Sequence, residues 1–151
     1  MGWLVSNWVQ RRAATEQNLR NAADAWREAQ AAVVEACDSF RQHYSELGAV
    51  SQVQPSTDVL MITIERNSIR TGDRTDTTMV SFQFCRAKPS IVVTIDQTKI
   101  QEFPIAADPN HAFLVMQGNE LAWDEFSQLA LEDTFFPSAP VRSTRKLSIV
   151  K

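Results

Sequence analysis

The sequence predicts an α+β fold: a long N-terminal helix packed on an antiparallel meander of about five strands, closed by a C-terminal helix. Three observations carry that expectation. Leu19, Trp26, Val33, Phe40 and Leu47 recur every seven residues, the spacing of one apolar helical face. From Asp58 to Gln117 the apolar period shortens to two, with turn residues between the runs, as in hairpin-connected strands. Beyond Gly118-Asn119 a helical spacing returns and stops at Pro137, which forces the preceding residue out of the α region.

The first helix is expected over residues 7–47. Ala22, Ala29 and Ala36 thicken the stripe, together with Ala23, Cys37 and Tyr44, and neither Pro nor Gly occurs between Gly2 and Gly48. Ser6 or Asn7 is a suitable cap and Gly48 a suitable stop. A helix of that length is a rod of about 60 Å, whereas a six-residue strand spans only about 20 Å. One sheet therefore cannot cover the whole stripe. Either the rod breaks near Ala13-Ala14 or Asn21–Ala23 and packs locally, or its first half meets a second copy of the chain.

Residues 49–57 read as a polar connector. The five strands of the 58–117 meander follow, and they place Leu60, Ile62, Ile64, Val80, Phe82, Phe84, Ile91, Val93 and Ile95 on one face. That face is expected to carry the helices. The other is mixed, with Met61, Met79 and Val92 among Thr63, Ser81, Gln83 and Thr94. The run 100–105 contains Pro104, which has no ladder donor and so belongs at an edge or ends the strand. The closing helix, 123–136, is expected to point Phe126, Leu129, Ala130 and Phe136 at the core. The whole of 1–136 reads as one domain, followed by a basic Pro/Ser tail over 137–151.

Composition narrows the function classes. Apolar residues at 44% and charged residues at 22% are ordinary for a soluble domain, and a net charge of −3 argues against nucleic acid as a partner. The tail carries Arg142, Arg145, Lys146 and Lys151 without an acid, which leaves 11 of the 15 basic residues against all 18 acidic ones before it. Cys37 and Cys85 make no disulfide framework and suit a reducing, cytoplasmic compartment. No apolar run is long enough to span a bilayer.

No pattern announces chemistry. His43, His111 and the two cysteines are scattered, and four glycines form no phosphate cradle. The expectation is therefore no catalytic residue, no metal and no cofactor. Two candidate sites stand out instead. Trp8, Leu19, Trp26 and Val33 on the long stripe are candidates for self-association as a dimer, or for contact with another protein. Arg66, Arg70, Arg74 and Arg86 flank the first hairpin of the meander, where guanidinium forks can hold a carboxylate or phosphate. The first reading is thus a non-catalytic association domain, acting through the helix or the second sheet face. The alternative is a small-ligand binder or enzyme with a pocket between helix and sheet. A third, less favoured, reading is peripheral membrane contact through Trp3 and Trp8.

Overall fold

The computed structural model describes residues 2–67, 73–107 and 110–137. Nine elements follow in chain order: α1 (Trp3–His43), β1 (Gly48–Ser56), β2 (Val59–Asn67), β3 (Arg74–Cys85), β4 (Ser90–Ile95), β5 (Lys99–Ala107), β6 (Ala112–Met116), β7 (Asn119–Leu121) and α2 (Trp123–Phe135). The strands form one antiparallel sheet in sequence order, and both helices lie on the same face of it.

The long helix is continuous, which removes the two-helix alternative. It starts and stops four residues before the expected bounds of 7–47. Gly2 occupies its N-cap position with no side-chain hydrogen bond, and Tyr44 rather than Gly48 ends it. Gly48 serves a different purpose. It opens β1 opposite Arg66, where a Cβ would lie 2.6 Å from the Glu65 carbonyl oxygen. Only glycine permits that approach.

Among the described residues the sheet has seven strands rather than five. The expected connector is the edge strand β1, in which only Gly48 and Val50 are buried, so it shows no apolar alternation. The other added strand is the three-residue β7. It is joined to β6 by Gln117 and Gly118, both with positive φ, the backbone of a tight hairpin turn. Pro104 lies inside β5, an interior strand, but at a place where only one neighbour is present. Residues up to Pro104 pair with β4, and pairing with β6 begins at Ile105. The missing N–H therefore breaks no ladder.

The core is the face the alternation marks out. Ile62, Ile64, Val80 and Ile91 are fully buried, and α1 contributes Ala22, Ala25, Trp26, Ala29, Val33, Cys37 and Phe40. In α2, Phe126 packs edge-on against Phe82 and Phe103 at 6.0 and 5.0 Å between ring centroids, while Phe135 meets Phe40 of α1 at 4.6 Å. Leu129 and Phe136 are exposed, contrary to expectation, and Leu131 and Phe135 take the inward positions. The inward set Phe126, Ser127, Ala130, Leu131, Thr134 and Phe135 keeps the helical spacing of three and four residues, on a face that leaves Leu129 to the outside. Residues 138–151, including the basic tail, lie outside the described residues.

Candidate functional site

The helix outruns the sheet. From Asn21 onward α1 buries a side chain on nearly every turn, whereas in residues 3–20 none is buried and only Gln17 is half-buried. At 1.5 Å per residue this arm projects by about 27 Å. β1, nine residues long, spans about 30 Å and so keeps pace only with the packed half. The arm is helical by composition as well as by continuity. Gln10, Arg11, Arg12, Ala13, Ala14, Glu16 and Gln17 are all good helix formers, and the packed half supplies the nucleus that an isolated helix lacks.

Most of the arm's apolar side chains are at its tip. Trp3 is 74% exposed, Leu4 65%, Trp8 60% and Val9 52%. The stripe keeps its phase across the junction. Trp8 precedes Trp26 by eighteen residues, about five full turns, so the two point the same way. Leu4, Trp8, Thr15 and Leu19 thus continue the line of Ala22, Trp26, Val33 and Phe40 into solvent, with Arg11 interrupting it. The polar groups are tied locally. Arg11 donates to Asn7 (3.2 Å) and Arg12 to Glu16 (3.2 Å), and the Arg12 guanidinium lies 5.3 Å over the Trp8 ring.

The place where α1 leaves the sheet is firmly built. The Trp26 indole N–H donates to the Thr57 carbonyl (2.8 Å) in the β1–β2 turn, and its ring stacks on Phe84 at 5.9 Å and 11°. Arg86 lies 5.0 Å over the Phe84 ring and grips both Asp58 carboxylate oxygens at 2.9 and 2.8 Å. That hydrogen-bonded pairing holds the Asp58 carboxyl below its ordinary range. Just past this seal, a groove of about 280 Å³ opens between the helix and the strand ends, lined by Thr15, Leu19 and Ala22 on one side and Pro89, Ile105 and Ala107 on the other. It lies on the stripe face of α1.

The two candidate sets fare differently. Trp26 and Val33 are 3% and 1% exposed and belong to the core of this chain. Trp8 and Leu19 remain on the surface. Arg66 and Arg86 are not brought together. Arg66 binds the Thr134 carbonyl of α2 (2.6 Å), Asp76 (3.2 Å) and the Thr78 hydroxyl, so it ties the sheet to the closing helix. Arg74 stands opposite Asn67 at the start of β3, Arg86 follows the far end of the same strand, and Arg70 lies outside the described residues.

Chemistry elsewhere is sparse. Among the described residues no three His, Cys, Asp or Glu side chains converge as metal ligands. Burial of Cys37 raises its thiol from 9.0 to about 11, which makes it a poor nucleophile. Cys85 is half-buried on the opposite sheet face, and both thiols are unpaired. A cleft between α1 and α2, lined by Ala36, Leu131 and Phe135, is open and mostly apolar. Among the described residues no helix is long and apolar enough to cross a membrane. Sequence inspection missed the groove at the helix exit. Its walls come from three distant segments, and only the small residues Ala87, Pro89 and Ala107 at strand ends hinted at room there.

No protein-family model, no curated protein and no solved structure matches the chain.

Proposed function

We propose that the protein is a non-catalytic association module that forms a homodimer through the projecting half of α1. The observation that carries this reading is the apolar tip of an arm that its own sheet does not cover. With an aromatic side chain worth roughly 150–250 Å², Trp3, Leu4, Val5, Trp8 and Val9 together leave on the order of 500 Å² in water. Leu4 and Trp8 face along the stripe with Leu19, whereas Trp3 and Val9 wind away from it at about 100° per residue. A seam of two arms therefore buries only part of this surface, a small interface by the standard of specific complexes. The outer sheet face is a poorer candidate, because Met61, Met79 and Val92 are diluted by Thr63, Ser81 and Gln83 on paired strands. A cytoplasmic location fits the two free thiols.

Light scattering at micromolar concentration tests the proposal. The full chain is expected to be a dimer, and a variant lacking residues 2–9 a monomer with an unchanged far-ultraviolet spectrum apart from the lost turns. A full chain that stays monomeric, or a truncated chain that still dimerises, rejects it. A monomer that co-sediments with lipid vesicles would assign the tip to a membrane surface instead.

A further inference from the structure

Building on that reading of the arm, we infer that two arms pair antiparallel and that each tip, Trp3 and Leu4, lodges in the partner copy's groove where α1 leaves the sheet. The groove and the stripe are one continuous surface. Thr15, Leu19 and Ala22 belong to both, and Pro89, Ile105 and Ala107 close the far side. The sheet covers the stripe up to Ala22 and then ends. A second helix laid along the uncovered part, pointing toward the sheet, therefore runs its tip into the groove.

Antiparallel pairing does this reciprocally. The tip-to-groove length is the arm itself, and it is the same in both copies. The register follows from the side chains. With Leu4 opposite Leu19, the bulky Trp8 faces the small Thr15, and Arg11 faces Arg12 at the two-fold axis. Apart from the Arg11–Arg12 pair, large side chains then meet small ones or another leucine along the seam, as close helix packing requires. Sliding the helices one turn closer drives Leu4 into Pro89 and Ile105. Sliding them one turn apart vacates the groove. The sheet end is thus the stop that fixes the register. Parallel pairing brings Leu4 onto Leu4 and Trp8 onto Trp8 but leaves both grooves empty. Filling the grooves also adds buried area to that of the seam.

Cysteine cross-linking tests the arrangement in a Cys85→Ser background, with Cys37 buried and inert. Leu4→Cys chains are mixed with Leu19→Cys chains under mild oxidation. The expected product is the covalent 4-to-19 pair, formed at least tenfold faster than 4-to-4 or 19-to-19 pairs. A dominant 4-to-4 product from chains that still dimerise overturns the antiparallel seam while leaving self-association standing. Absence of a dimer in the parent chain overturns both. An independent variant leaves the arm untouched: Ala87→Arg, at an exposed turn residue beside the groove, is expected to weaken dimerisation tenfold or more with unchanged unfolding of the isolated monomer. An unaltered dissociation constant for Ala87→Arg counts against tip insertion.

Discussion

The two halves of α1 carry the same apolar period and meet opposite fates. Between Ala22 and Phe40 the stripe is sealed by strands and by α2, while between Trp3 and Leu19 the same spacing points into water. Periodicity therefore reports that a helix has a sticky face, but not what sticks to it. Coverage is decided by strand length. The sheet ends where the β1–β2 and β3–β4 turns close, and the helix does not.

The sharpest way to break this comparison is to truncate the matching tryptophan in each half. Trp26 loses its stack on Phe84 and its bond to Thr57 when replaced by alanine, and Trp26→Ala is expected to cost about 3–5 kcal/mol in urea unfolding. Trp8→Ala, measured where the chain is monomeric, is expected to stay within about 0.5 kcal/mol of the parent while abolishing the dimer. Concentration must be held fixed, because dimerisation itself adds apparent stability. Equal losses in the two variants would mean that the arm packs on its own chain.

The junction between the halves is also the limit of what the residue pattern conveys. The stripe, the inward sheet face and the order helix, meander, helix are all legible, because periods of 3.5 and two reflect which side of an element meets the core. The edge strand β1 is not. Ser51, Gln52, Gln54 and Ser56 face water, so nothing in that stretch alternates. Trp8 and Leu19 were recognisable as stripe members, but no local feature separates them from Trp26 and Val33. That distinction depends on where a sheet assembled from later residues happens to end. The arginines around the first hairpin illustrate the converse. Arg74 and Arg86 are close in sequence, yet the twelve-residue strand β3 sets them at opposite ends of the sheet.

The cysteines sharpen the comparison from the packed side. Cys37 sits on the covered half, fully buried, and burial lifts its thiol from 9.0 to about 11. The folded state thus keeps its proton at a pH where the unfolded chain has lost it. The unfolded state binds fewer protons across that interval, so stability falls with rising pH. The contribution is intact below pH 9 and is lost as pH rises toward about 11. Cys37→Ala is expected to flatten that alkaline decline in urea unfolding, and a thiol reagent at neutral pH is expected to modify Cys85 alone in the native protein. Rapid modification of Cys37 would show that the packed half opens, and the contrast between the halves would then be one of degree.

The smallest expected effect lies in the arm, at the one stripe position that is charged. In the antiparallel seam Arg11 meets Arg12 across the two-fold axis, so four guanidinium groups gather at its centre. Glu16 offsets Arg12 within each helix, but Arg11 is held only by the neutral Asn7 side chain. Like charges this close weaken pairing, and salt screens them with a Debye length of about 10 Å at 0.1 M. Dimerisation is therefore expected to tighten modestly as salt rises. Arg11→Leu halves the guanidinium groups at the axis and extends the apolar line from Leu4 and Trp8 to residue 11, and sedimentation equilibrium should report a dissociation constant roughly tenfold lower, an effect of about 1.4 kcal/mol, with a weaker salt response. A looser dimer in Arg11→Leu would place Arg11 on an acidic partner surface rather than against its own counterpart, and the two-fold seam would have to be redrawn.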